Sequence, residues 1–153
     1  MRLYLVRHGE ARPKEADRER HICDRGAKNV GKVAAFLKGR GLRVDAIWHS
    51  GKARAAETAR ILASALDVKK GVIEHDGLAP NDPVGPVAKG LKKADADLMI
   101  VGHLPFMGKL ASLLLAADEN AGIVEFATGG IVCLVRADEG GWAIEWAVIP
   151  EIL

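Results

Sequence analysis

Residues 1–13 read MRLYLVRHGEARP. From Arg2 to Val6 the run is almost continuously apolar, the pattern of a parallel strand covered on both faces. It passes straight into Arg7-His8-Gly9. A buried strand thus carries two cation-capable side chains, back to back, to its carboxyl end. In open α/β sheets, ligands sit beyond the carboxyl ends of the strands. What the other strands deliver to that edge decides how the chain is read.

Outward from this stretch, strands and helices alternate. Arg12 to Asp24 is polar and irregular. A helix is expected from about Arg25 to Gly39, with Ala27, Val30, Ala34 and Leu37 on one stripe and Gly39 and Gly41 ending it. A second strand covers Ala46–His49. A second helix runs from about Ala53 to Leu66, with Ala55, Thr58, Leu62 and Ala65 along one face. A weaker strand lies near Val72–Glu74, followed by the breaker-rich loop GLAPNDPVGP and a short helix around Val87–Lys92. DLMIVGH (97–103) is the clearest strand after the first. Pro105 suits the first turn of the next helix, whose apolar positions are Leu110, Leu113, Leu114 and Ala117. IVCLVRADEGGWAIEWAVI (131–149) reads as two strands around Asp138-Glu139-Gly140-Gly141, a hairpin signal. The whole pattern predicts an α/β fold. It is a three-layer α/β/α sandwich with a mostly parallel central sheet and a C-terminal antiparallel hairpin.

The chain has 153 residues, 49% of them hydrophobic and 27% charged, which suits one soluble domain with a sizeable core. The formal net charge is only +2, with cations and carboxylates interspersed. Nothing in this pattern resembles a basic nucleic-acid stripe or a polybasic membrane patch. Cys23 and Cys133 match no metal or redox spacing and read as reduced thiols. There is no charged leader with an apolar segment and no run of membrane-span length, so a cytoplasmic location is expected.

Listing the strand ends yields a constellation. The first strand delivers Arg7 and His8. The second delivers His49 and Ser50, with Arg54 in the first turn of the following helix. The third delivers His75 and Asp76, and the fourth delivers His103. Two arginines and several imidazoles therefore share one edge with few carboxylates, and such an edge suits an anion. The planar fork of arginine matches phosphate oxygens. A lone Arg or His at a strand end is usually structural, and His49 and His75 are left with that reading. Arg7, His8, Arg54 and His103 repeat one chemistry from independent strands. No Walker A, GxGxxG or GxSxG spacing is present. Ser50, just ahead of a helix, reads as an N-cap rather than a nucleophile.

These same residues carry a family resemblance. LVRHGEA, HSGKARAAETA and VGHLP occur in this order, and ICDRG stands where a Leu-Ser/Thr-x-x-Gly segment is usual. The set resembles the histidine phosphatase (phosphoglycerate mutase-like) superfamily. The short chain and the GHLP form of the third motif are most similar to its small SixA-type phosphohistidine phosphatase branch. The resemblance implies a single domain over residues 1–153. It implies that His8 becomes phosphorylated, that Arg7 and Arg54 clamp the phosphoryl oxygens, and that His103 completes the phosphate pocket. Arg20 is carried over to the same pocket, against the alternative of an exposed arginine in DRERH.

Phosphoryl transfer to His8 requires an unprotonated ring nitrogen aimed at phosphorus. Free histidine is partly protonated near neutrality, and neighbouring arginines disfavour the imidazolium. A hydrogen bond from the other ring nitrogen to a loop carbonyl would set the tautomer. Arginines supply the positive charge, so no metal or other cofactor is expected.

One departure bears on the substrate. Larger members of the family place a carboxylic acid after the third strand, where this chain has Gly77 in EHDGLAP. Glu74, Asp76 and Asp82 lie nearby, and Asp82 in the loop is the candidate proton donor. Without a strong general acid, good leaving groups are favoured, as in phosphohistidine. The expected partner is a phosphorylated protein such as a histidine phosphocarrier domain, or a small phosphorylated substrate, bound in an open pocket. Three alternatives stand beside this reading. They are a small-molecule phosphomonoesterase, a non-catalytic phosphoprotein-binding module, and a metal centre built from His8, His49, His75, His103 and Asp76.

Overall fold

The computed structural model describes residues 1–153. Leu3, Tyr4, Leu5 and Val6 are all buried, because helices cover both faces of the strand they form and a neighbouring strand pairs with each edge. In chain order the elements are β1 (Arg2–Arg7), α1 (Asp24–Lys38), β2 (Arg43–Val44), β3 (Ala46–His49), α2 (Ala53–Ala63), β4 (Asp67–Val68), β5 (Val72–Glu74), α3 (Gly85–Lys93), β6 (Leu98–Gly102), α4 (Phe106–Ala116), β7 (Ile131–Arg136) and β8 (Trp142–Val148), with a 3-10 turn at Pro150–Ile152. Six strands form one sheet in the order β5-β3-β6-β1-β7-β8. β5, β3, β6 and β1 run parallel, and β7 and β8 complete the sheet as the antiparallel hairpin.

The strand period of two divides the core. Leu3 and Leu5 of β1 and Ile100 of β6 face α3 and α4, packing with Leu91, Phe106 and Leu110. Tyr4 and Val6 of β1 and Met99 and Val101 of β6 face α1 and α2, packing with Val30, Leu37, Ala59 and Leu62. Each large side chain so buried contributes roughly 1.5–3 kcal/mol. The result is the expected three-layer sandwich. No helix is long and apolar enough to cross a membrane.

Several boundaries differ from the sequence reading. β2 and β4 form a separate two-stranded parallel sheet that periodicity did not indicate, since each is two residues long. The buried stripe of α1 is Gly26, Val30, Val33, Ala34 and Leu37. Gly26 and Val33 are on it, and Ala27 is only half-buried. Helix α2 stops at Ala63, so Ala65 lies beyond its end. Helix α4 begins at Phe106, with Pro105 in the N-cap position rather than inside the first turn, and ends on Ala117, which is exposed and left-handed (φ 57°).

The start of α1 shows how ICDRG works. Cys23 occupies the N-cap, and its sulfur accepts from the Gly26 N–H at 3.4 Å. The Cys23 N–H in turn donates to the Glu10 carbonyl at 2.9 Å. Gly26 lies so close to this segment that an added Cβ would stand 2.2 Å from the Glu10 carbonyl oxygen. The helix is thereby pressed against the chain that follows His8. Gly26→Ala is expected to force the two apart and to cost about 1–3 kcal/mol, the usual range for overpacking. Urea unfolding checks this, and a midpoint equal to wild type contradicts the close approach.

Candidate active site

β1 ends between two supports. The His8 N–H donates to the Gly102 carbonyl at the end of β6 (2.9 Å), and the Arg7 N–H donates to the Gly130 carbonyl ahead of β7 (3.2 Å). Strand alternation puts Arg7 on the α3/α4 side, where one guanidinium nitrogen donates to the Phe126 carbonyl at 2.8 Å. Arg54 comes from the first turn of α2, on the opposite side of the sheet. The two arginines therefore approach the end of β1 from both outer layers. His103 arrives at the end of β6, and its ring centroid is 5.0 Å from that of His8.

His8 is 9% exposed and His103 is 1% exposed. The His8 Nδ1 lies 2.7 Å from the Gly9 carbonyl oxygen. That oxygen can only accept, so Nδ1 carries the ring proton and Nε2 keeps a lone pair. Gly9 is itself held: its N–H donates to the Thr58 hydroxyl at 2.9 Å, and that hydroxyl donates to the Arg54 carbonyl at 2.7 Å. One short relay thus joins the His8 loop to the helix that bears Arg54.

The His103 Nε2 sits 2.6 Å from the Ser50 hydroxyl. Ser50 Oγ also accepts from the Lys52 N–H at 3.4 Å. With the hydroxyl proton turned to Nε2, the imidazole carries its own proton on Nδ1. Ser50 is therefore a partner of His103 rather than the N-cap of α2, a position held by Lys52. Arg7 Nε, Arg54 Nε and His103 Nδ1 are buried without a protein partner. Leaving a buried donor unpaired costs about 1–3 kcal/mol each, and donors of this kind are chemically suited to an oxyanion.

Electrostatics keep both imidazoles neutral. Burial is the first cause that pushes His8 down to about 4, with Arg54, Arg7 and Arg20 adding to it against the Gly9 hydrogen bond. His103 is pushed down to about 3 by burial, then by His8, Arg54, Lys52 and Arg20. Desolvation thus outweighs the arginine repulsion on which the sequence argument relied. Arg20 belongs to this surround. Its backbone is left-handed (φ 55°), its Nε donates to the Arg12 carbonyl at 3.2 Å, and it lines one groove with Arg54.

The remaining candidates are placed elsewhere. His49 Nδ1 accepts from the Gly51 N–H at 3.0 Å, and His75 stacks on Trp48 with centroids 4.0 Å apart. Asp76 lines an apolar cavity of about 260 Å³ beside Trp48 and Pro86. No three His, Cys, Asp or Glu side chains are grouped to hold a metal ion, so the ligands of the metal-centre alternative do not converge. The Asp82 carboxylate accepts from the Ala79 N–H at 2.9 Å, stapling its own loop. Glu74 packs its carboxylate against Gly51. Ser50 and Thr58 were not read as part of the site, although both stand in HSGKARAAETA, because a pre-helix serine and a helix-stripe threonine have common structural roles.

Comparison with known proteins assigns the family and the fold. Residues 3–80 match the family model described as the histidine phosphatase superfamily (branch 1). The chain belongs to that superfamily. An uncharacterized protein of Picosynechococcus sp. is 32% identical over 144 residues, covering 84% of this chain and 86% of that one. The fold is similar to that of the protein histidine phosphatase SixA complexed with tungstate, with a TM-score of 0.87 at 23% identity over 99% of each chain. It is also similar to phosphoserine phosphatase from Entamoeba histolytica in complex with phosphoserine, with a TM-score of 0.72 at 17% identity over 99% of this chain and 98% of that one.

Two measurements check the proton assignments. In an NMR titration, His8 and His103 should stay neutral as pH falls through 6.5 and protonate only near or below about 4. His21, raised by its bond to Asp17, should titrate above the ordinary value. Protonation of His8 near 6.5 contradicts the buried, cation-flanked site. Nitrogen-15 shifts should show His103 protonated on Nδ1 and should lose that single tautomer in Ser50→Ala. A wild-type proton on Nε2 contradicts the Ser50 assignment.

Proposed function

We propose that the chain is a phosphatase that works through a phosphohistidine on His8, and that its substrate is phosphohistidine on a protein. The observation that carries the reading is the His8 ring itself. It is neutral, its Nδ1 is tied to the Gly9 carbonyl, and its Nε2 is free beside the unpartnered donors of Arg7, Arg54 and His103.

In the first step, Nε2 of His8 attacks phosphorus as the bond to the leaving group breaks. Arg7 and Arg54 hold the equatorial oxygens, where charge spreads in the transition state. His103 donates to a further oxygen through its Nδ1 proton. Arg20 adds positive charge at the entrance. The leaving imidazole takes a proton from solvent. In the second step water attacks phosphorus, the P–Nε2 bond breaks, the water proton passes to solvent, and inorganic phosphate leaves with His8 restored.

The substrate class rests on the leaving group. Asp82 is proposed as proton donor only for substrates that reach its loop, because its carboxylate is already engaged by Ala79. The family resemblance puts Gly77 where the larger members carry an acid. Imidazole needs less assistance than an alkoxide. The groove beside Arg54 is walled by exposed side chains, including Lys14, Arg18 and Lys52, so a residue on a protein surface can enter. The tungstate bound by the SixA structure of like fold is an oxyanion of the same kind. The phosphoserine-bound neighbour shares the fold as well, so the leaving-group chemistry, and not the fold, favours phosphohistidine.

Steady-state kinetics test both parts. His8→Ala should abolish turnover, and Arg7→Ala and Arg54→Ala should each lower kcat by roughly 10²–10³. Wild-type activity in His8→Ala overturns the mechanism. A phosphohistidine peptide should be turned over in preference to sugar phosphates. A strong preference for unactivated alkyl phosphates overturns the substrate assignment and leaves the mechanism standing.

A further inference from the structure

A groove of about 680 Å³ opens beside Arg54, between the irregular segment after β1 and helix α2 as far as Arg60 in its last turn. Six cations line it: Lys14, Arg18, Arg20, Lys52, Arg54 and Arg60. The only carboxylates on its walls are those of Glu19 and Glu57. Four positive charges are therefore in excess there, on a chain whose whole formal charge is +2.

None of the six cations makes an ion pair. Elsewhere on the surface Arg2, Arg25, Arg43, Lys70 and Arg136 each have a carboxylate partner. Glu19, which could neutralise a groove cation, turns to His21 at 3.4 Å instead. The imbalance extends well beyond what one phosphoryl group needs. Arg7, Arg54 and His103 already suffice for its oxygens, and Lys14, Arg18 and Arg60 lie further out, exposed, with no role at His8.

We propose that this groove docks an acidic segment of the phosphorylated protein, with carboxylates flanking the phosphorylated residue seated on Lys14, Arg18 and Arg60. The proposal deepens the phosphohistidine reading and rests on it. A single-stranded nucleic acid would also meet the charge, but no Trp, Tyr or Phe lines the groove to stack a base. The like charges raise the local concentration of an acidic partner and speed its encounter, an effect that salt screens.

Calorimetry on the intact chain tests this without depending on turnover. The probes are two peptides that bear a non-hydrolysable phosphohistidine analogue, one flanked by glutamates and one by lysines. Wild type should bind the glutamate peptide about tenfold more tightly, with the gap shrinking as salt rises. The combined substitutions Lys14→Gln, Arg18→Gln and Arg60→Gln should erase that preference while leaving kcat for saturating p-nitrophenyl phosphate within about twofold of wild type, because the changes weaken the outer field and leave the groups around His8 in place. Equal binding of the two peptides by wild type, a preference that survives the substitutions, or tighter binding of an oligothymidylate than of the glutamate peptide overturns the proposal. Failure of the phosphohistidine reading is seen separately, as hydrolysis of p-nitrophenyl phosphate with no hydrolysis of phosphohistidine peptides.

Discussion

Gly9 is the point on which the site depends. Its carbonyl takes the Nδ1 proton of His8, and its N–H is held by Thr58, which reaches back to Arg54. A glycine is required because an added Cβ would lie 2.8 Å from Val30 on α1. The loop after β1 therefore lies close against α1 and is tied to α2, and the bond from Nδ1 to the Gly9 carbonyl orients the His8 ring. An imidazole with one nitrogen fixed presents the other in a single direction, which suits in-line displacement at phosphorus.

The same burial solves an electrostatic problem. Arginines that can hold a phosphoryl group are costly to gather at the end of one strand. Here they arrive from different layers: Arg7 from β1 and Arg54 from α2, each against its own side of the sheet. Two apolar cores, built from alternate residues of β1 and β6, keep those layers rigid. Within this frame the imidazoles lose water and stay neutral, so cations and a basic nitrogen coexist. Beyond it the unpaired cations of the groove extend the positive field outward.

Much of this was legible in the sequence, for physical reasons that also mark its limits. β1 and β6 announce themselves as apolar runs because both faces are covered. Arg7, His8, Arg54 and His103 are legible because strand ends in an α/β sheet share one edge, and the structure brings these four together. Gly26 was missed on α1 because a pattern of apolar side chains cannot register a residue buried for lacking one. β2 and β4 are too short to show a period. Thr58 does lie on the buried face of α2, but its bond to Gly9, like that of Ser50 to His103, is invisible in sequence because the partners lie 49 and 53 residues away along the chain. The Asp82 carboxylate also closes a local turn with Ala79, a bond that a breaker-rich loop does not announce in sequence.

A crystal structure of the chain soaked with orthovanadate tests the convergence of these groups most directly. The predicted result is vanadium bonded to Nε2 of His8, with its equatorial oxygens on Arg7 Nε, Arg54 Nε and His103 Nδ1. Vanadium bonded to another residue, or oxygens that reach only one of those donors, would contradict it.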